Sequence, residues 1–404
     1  MVRRVGPRAA TCADSGSPAV DRSGGGGAAV NHDPHRLVVA LHGAYHTDNF
    51  GDMLLMLITR RWLEEVSPRV EVRMPFVPAE LAARLRPGSI RGPRALLGAG
   101  LFVYGGGGYF GEPPRDATRW SLRLARRHLL PGLAMTLLRR GVSICGVGAG
   151  PLTHPLARTM IRPILRRAHP ITVRDESSRT TLIALGADPD AVTVTADVAL
   201  TLRRETLPQE AVNHARSWIA ALPDGPRLGV HLSPSAATGD AGRQLADEVV
   251  AFAHANPDLQ LVALTDQRGA EGQSFAAAQL CRRLPARAHA YAYDDPWRLS
   301  ALLAELDLVI TTKLHVGIVA VAVGTAVLSY PTHPKTPRFY RQIGAEDACH
   351  PLGSLRPGMV TEHLERRFGV PEGFLAVPDG VRAAAQRNRD SLHRTVVEHL
   401  RSNR

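Results

Sequence analysis

The residues best suited to chemistry lie at Thr311-Thr312-Lys313-Leu314-His315-Val316-Gly317-Ile318, where an apolar stretch gives way to a nearly uncharged one. Read as a strand end and a helix start, this puts Lys313 and His315 at the positive end of a helix dipole. That field disfavours imidazolium, so His315 is expected to be neutral and able to take a proton. A lone histidine in such a frame also suits a hydrogen-bonded core residue; the lysine two positions away favours the chemical reading. In Thr172-Val173-Arg174-Asp175-Glu176-Ser177-Ser178 an arginine ends a strand beside a capped helix start. A guanidinium there can clamp a carboxylate or phosphate, or simply pair with Asp175 or Glu176.

Three further stretches complete the set. Between His42 and Asp52, Gly51 would let a ligand approach the backbone, while Asn49 and Asp52 offer acceptors for hydroxyls; a tight turn with an Asp cap is the alternative. Gly105, Gly106, Gly107 and Gly108 follow an apolar strand and can form an anion-binding nest of N–H groups, or serve close packing. No Gly-Lys-Ser/Thr follows, so this is not a Walker A loop. Gly146 to Gly150 makes a similar strand end, but a weak dinucleotide fingerprint. Lys335 lies in His333-Pro334-Lys335-Thr336-Pro337-Arg338, and Lys313 and Lys335 are the only lysines in the chain. Lysine is a compact, movable point charge where arginine is a planar fork.

The elements that must position these residues alternate. Strands are expected at 37–41, 70–74, 101–104, 142–147, 171–174 and 192–195, with helices at 53–65, 122–140 and 176–185. After a polar linker at 203–209 a second series follows, with strands at 228–232, 259–264, 308–312 and 326–330. Its helices fall at 242–255, 274–283, 296–305 and 314–323. Such alternation predicts α/β architecture with mainly parallel sheets, here two Rossmann-like doubly wound domains. Such folds bind ligands at the carboxyl ends of their strands, so the cleft between the domains is the expected site. The boundaries read as a disordered leader at 1–35, an N-terminal domain at 36–202, a C-terminal domain at 203–380 and a closing helix at 381–404.

A length of 404 residues suits two domains, and 44% hydrophobic and 21% charged residues suit a soluble globular protein. The formal charge of +12 points to an anionic partner. The arginines occur in every segment, and aromatics make up only 5%, so no basic stacking platform for nucleic acid is visible. An anionic small molecule in a basic cleft is the better reading, with peripheral association with a membrane surface left open. The four cysteines form no CxxC pair, which offers no metal or redox motif and suits a cytoplasmic location. No stretch reads as a signal peptide or a membrane span, since residues 309–330 break into strand, helix and strand.

Taken together, the chain resembles the polysaccharide pyruvyl transferase family. The resemblance rests on Asn49-Phe50-Gly51-Asp52, Gly105 to Gly108, Val173-Arg174-Asp175-Glu176-Ser177, Asp197 after a strand, and Lys313-Leu314-His315 followed by an apolar helix and Gly324. It implies a glycosyltransferase-B-like pair of domains. The implied reaction moves the pyruvyl unit of phosphoenolpyruvate onto two hydroxyls of a sugar, free or on a lipid- or nucleotide-linked glycan, with no metal or cofactor. Arg174, Lys313 and Lys335 would then bind the donor, and His315 would serve as acid/base. Asn49, Asp52 and Asp197 would orient the acceptor. The family usually has Arg where Lys313 stands, and Lys cannot grip a carboxylate through two parallel hydrogen bonds. A nucleotide-sugar-dependent glycosyltransferase and a non-catalytic anion- or sugar-binding protein are the alternatives. No acidic residue placed to take a ribose is evident in the C-terminal half.

Overall fold

A computed structural model describes residues 36–77, 92–112, 116–269, 271–333, 335–368 and 375–402. The leader at 1–35 lies outside the described residues. The first sheet is parallel throughout, in the order β2-β1-β3-β5-β6-β7. Its strands are β1 Leu37–His42, β2 Val70–Arg73, β3 Leu101–Tyr104, β5 Gly141–Ala149, β6 Ile171–Val173 and β7 Val192–Val194, with β4 Gly107–Phe110 added on β5. Helices α1 Phe50–Val66, α2 (residues 117–137), α3 Pro155–Arg167 and α4 Glu176–Ala184 accompany it. Within α2 a π turn at Ala125–Leu129 joins two α-helical stretches.

After α5 Gln209–Ala220 a second parallel sheet runs β10-β9-β8-β11-β12. Its strands are β8 Arg227–His231, β9 Gln260–Leu264, β10 Ala288–Tyr291, β11 Leu308–Thr311 and β12 Ala326–Ser329. Helices α6 Asp240–Ala255, α7 Glu271–Arg283, α8 Pro296–Leu303, α9 Leu314–Ala322, α10 Thr336–Gln342 and α11 Met359–Arg367 complete this half. The last helix, α12 Asp379–Ser402, returns to pack on α1 and β5. The chain is thus α/β with parallel sheets in two domains.

These strands form because their residues are apolar on both faces, as a sheet covered on both sides requires; β3 and β11 are buried at every position. Strand order then fixes where a ligand can sit. In the first sheet β1 has β2 on one side and β3 on the other. In the second, β8 stands between β9 and β11. The chain reverses direction across each sheet at these points, which opens a crevice beyond the carboxyl ends. The loops after β1, β3, β8 and β11 are therefore the ones placed to meet a ligand.

Candidate active site

The loop after β1 reaches α1 through Asn49, whose side-chain oxygen accepts from Gly51 N at 3.1 Å. Asn49 is thus a helix cap, with one acceptor already engaged. Phe50 N donates to Asp266 O at 2.8 Å, tying the start of α1 to the second half. Gly51 then faces α9 so closely that a Cβ on it would overlap the His315 ring. Here glycine is required by close approach rather than by an unusual dihedral. In the same turn Asp52 lies against the glycine run, 3.3 Å from where a Cβ of Gly107 would stand. Burial pushes the Asp52 carboxyl above its ordinary range, and Asp266 adds to this, against the pull of His315, Lys313 and Arg174.

The four glycines divide. Gly105 N donates to His42 O at 2.8 Å, while Gly107 and Gly108 begin β4. Gly107 has φ +132, a conformation that side-chain-bearing residues rarely adopt. Gly108 O accepts from Lys335 Nζ at 3.4 Å, so the run also presents a carbonyl to the cleft.

Arg174 follows β6 and is buried. Its guanidinium packs over Gly148, where a Cβ would come within 2.6 Å of Nε. It lies 3.5 Å from Asp175 Oδ2 and 3.5 Å from Asp197 Oδ2. Asp197, 3% exposed, also faces His315 Nε2 at 3.6 Å through the same oxygen. Burial alone would raise the Asp197 carboxyl. His315, Arg174 and the Ala199 N–H outweigh it and hold the group below the usual carboxylate range. Asp197 thus lies within ion-pair distance of both partners through one oxygen. This carboxylate comes from the other half of the chain, so nothing in residues 311–318 shows it.

From the second half, Lys313 caps α9 and lies 3.4 Å from Asp266 Oδ2. Asp266 is 2% exposed, lies 3.3 Å from His231 Nε2 through Oδ1, and accepts from the Gln273 amide. Burial works against its charge. His231, Lys313 and Gln273 prevail, holding the carboxyl far below its usual range. Helix α10 brings a second set of cations. Lys335 stands before it, Arg338 donates to Ser177 Oγ at 3.0 Å, and Gln342 donates to Arg174 O at 3.3 Å. Burial, then Arg174 and Arg338, push Lys335 below its ordinary value; burial, then Lys335, Arg174 and Arg338, do the same to His333. A small cleft is lined by Arg174, Asp197, Lys335, Arg338, Phe339 and Gln342, among others.

The five stretches singled out in the sequence thus converge on one place. Asp266, His231, Arg338 and Gln342 were missed as site residues. The signal for the first two was position alone, since each ends or follows a strand of the second sheet. Asp266 does follow a strand in the half where no acid placed to take a ribose was expected, and its oxygens are engaged by Lys313, His231 and Gln273. Among the described residues no group of three or more His, Cys, Asp or Glu is placed to hold a metal ion.

A family model described as polysaccharide pyruvyl transferase matches residues 49–334. The chain belongs to the polysaccharide pyruvyl transferase family. This makes the protein a transferase of polysaccharide biosynthesis. The matched span takes in Asn49, the glycine run, Arg174, Asp197 and the Lys313–His315 turn, and ends at Pro334, one residue before Lys335. No curated protein matched the chain.

Solved structures share the family member's fold. A UDP-GlcNAc 2-epimerase from Methanocaldococcus jannaschii superposes with a TM-score of 0.59 at 10% identity, over 88% of this chain and 99% of its own. The Neisseria meningitidis UDP-GlcNAc 2-epimerase, solved with UDP-GlcNAc, gives 0.57 at 11%, over 88% and 99%. Anabaena Alr3699/HepE, solved with UDP-glucose, gives 0.52 at 14%, over 90% and 99%. At these identities the likeness shows a glycosyltransferase-B-like fold and nothing of substrate.

Proposed function

We propose that this enzyme transfers the pyruvyl unit of phosphoenolpyruvate onto two hydroxyls of a sugar, forming a cyclic ketal and releasing phosphate, in the reducing cytoplasm. The observation that carries the reading is the cationic cluster of Arg174, Lys335 and Arg338. Burial first, and then the cluster's charges, lower the proton affinity of Lys335 and His333, and an anion of high charge suits such a cluster. The described cysteines are unpaired, as a reducing compartment allows.

In this scheme C3 of the enol takes a proton and becomes a methyl group, which leaves C2 electrophilic. One sugar hydroxyl attacks C2 and gives up its proton. The second hydroxyl then displaces phosphate from C2, and its proton leaves with the phosphate. His315, oriented by Asp197, is assigned the proton transfers. Arg174 and Lys335 hold the donor's carboxylate and phosphate and offset the charge of the departing group. Lys313 borders the same space from its contact with Asp266. Asn49, through its amide, and Asp52 face the acceptor side, next to the glycine run.

A nucleotide-sugar donor is the second reading. Asp266 favours it, because an acid after the second strand of a Rossmann unit is where a ribose is often held. Its oxygens are already engaged by Lys313, His231 and Gln273, which weighs against that role. The deciding experiment is phosphate release from phosphoenolpyruvate with a panel of lipid-linked and nucleotide-linked sugars. Release that depends on an acceptor supports the reading. Sugar transfer from a nucleotide donor, without phosphate release, replaces it.

A further inference from the structure

The arginines are spread along the chain, but the acids are not. Residues 117–174 hold eleven arginines and no aspartate, glutamate or lysine, so this stretch carries +11 of the formal +12. It comprises α2, β5, α3 and β6, and α2 and α3 pack together beside the first sheet. Their inner sides give Leu124, Leu129, Met135, Ile161, Ile164 and Leu165 to the core. The outer side of α2 alternates charge and grease. Arg119, Arg123, Arg126 and Arg127 are exposed there, and so are Leu122 (50%), Leu130 (54%), Leu137 (74%) and Leu138 (67%). The spacing of three and four residues keeps them on one face, and the π turn brings Arg126 and Arg127 out together.

Two facts set this face apart. With Leu156 on α3, it holds five of the eight large hydrophobic side chains exposed among the described residues. Among the described residues, too, none of its ten arginines ahead of Arg174 is in an ion pair.

We infer that the outer face of α2 and α3 docks on an anionic lipid bilayer. A helix face of exposed leucines set among unpaired arginines suits the interface, where leucines enter the acyl boundary and guanidinium groups meet lipid phosphates. A second copy of the chain is a poor occupant, because two such faces would oppose their arginines with no carboxylate between them. Nucleic acid is poorly served as well, since Trp120 is the sole aromatic residue in α2.

The placement also joins this face to the site. Trp120 Nε1 donates to Gly111 O at 2.6 Å, Tyr104 Oη donates to His128 O at 2.7 Å, and the His42 and His128 rings share a 3.0 Å hydrogen bond. These contacts fix α2 to the ends of β1, β3 and β4, whose loops carry Asn49, Asp52 and the glycines. A bilayer on the outer face would lie one helix thickness from those loops. The inference does not depend on which donor the site uses.

Flotation of the full chain with phosphatidylcholine vesicles, with and without phosphatidylglycerol, tests it. Binding is expected only to vesicles containing phosphatidylglycerol and should weaken with salt. The triple variants Arg123→Glu/Arg126→Glu/Arg127→Glu and Leu130→Ser/Leu137→Ser/Leu138→Ser should each bind at least about tenfold more weakly. Both should keep the wild-type circular dichroism and wild-type turnover on a soluble acceptor. Absence of binding to anionic vesicles would overturn the inference. So would undiminished binding by either correctly folded variant, or duplex DNA competing for the face as well as the vesicles do.

Discussion

At the scale of single residues, the closest fit in the site is Gly51 against His315. An alanine at 51 suits the backbone of α1, since the position is helical and its dihedral is ordinary. Its methyl group, however, would occupy space held by the His315 ring. Gly51→Ala should therefore fold with a lowered melting temperature, overpacking costing on the order of 1–3 kcal/mol, and lose turnover by at least about a hundredfold, as His315→Ala should. Steady-state kinetics beside a thermal melt check this, and normal turnover in Gly51→Ala would remove His315 from the mechanism.

Lys313 poses a sharper alternative, because its ammonium already has Asp266 as a partner. If it holds the donor, Lys313→Met should raise the donor KM roughly ten- to a hundredfold, the scale of a charge-assisted hydrogen bond. Lys313→Arg should recover part of the loss. If it only neutralises Asp266, Lys313→Met should lower the melting temperature and leave KM unchanged. Both quantities measured on the three proteins separate the outcomes.

At the scale of elements, α12 positions the site from behind. Asn388 is fully buried; its amide donates to Ala196 O at 2.9 Å, and its oxygen accepts from Thr195 Oγ1 at 2.8 Å. These are the residues that lead into Asp197. Asn388→Ala removes the donor to the Ala196 carbonyl and one of the two acceptors of the Thr195 hydroxyl, which keeps Val173 O at 3.0 Å, and should cost about 2 kcal/mol of stability by denaturant unfolding.

The inner face of α2 makes a pH prediction. Burial, then His128 and His46, hold His42 well below its ordinary value; burial, then His46 and Arg127, bring His128 down to about 3. Below pH 6.5 the unfolded chain takes up protons that the folded chain refuses, so stability rises with pH through that window. The melting temperature should be flat above about pH 7 and fall on acidification. His128→Asn, which keeps a hydrogen-bonding atom near Nδ1, should flatten the fall.

Most strands of both sheets and the loops at the two crevices were legible in the sequence, because parallel strands buried on both faces read as apolar runs. Six elements were not: strands β4 and β10 and helices α3, α5, α10 and α11. Strand β4 is half glycine, and β10, Ala-His-Ala-Tyr, is too short to show a period. Helix α3 opens with Pro155 and carries Pro163 inside, which reads as loop. At the site, single residues at strand ends were visible, but their partners were not. That Asp197 faces His315 and Asp266 faces Lys313 follows from the docking of the two halves, and no local pattern records it.

At the scale of the whole molecule, the question is which ligand joins the halves. Arg174 comes from the first half, and Lys335 and Arg338 from the second. They are held together by Gln342 on Arg174 O, Arg338 on Ser177 Oγ and Lys335 on Gly108 O. Asp175 and Asp197 offset part of this charge at Arg174, and an anion bound between the halves would offset the rest. A ligand that binds only the native protein stabilises it by mass action, by about 2.7 kcal/mol at a hundredfold excess over its Kd. Phosphoenolpyruvate should therefore raise the melting temperature, and UDP should not. The shift should shrink with ionic strength and disappear in Arg174→Gln, which keeps a similar length and loses the charge. Inorganic phosphate should give a smaller shift than phosphoenolpyruvate, because it leaves the carboxylate subsite empty. A large shift with UDP that survives Arg174→Gln but is lost in Asp266→Asn would put the donor beside β9. It would transfer the case to the nucleotide-sugar reading. Melting curves for the three proteins with the three ligands decide between a donor at Arg174, after β6, and a donor at Asp266, after β9.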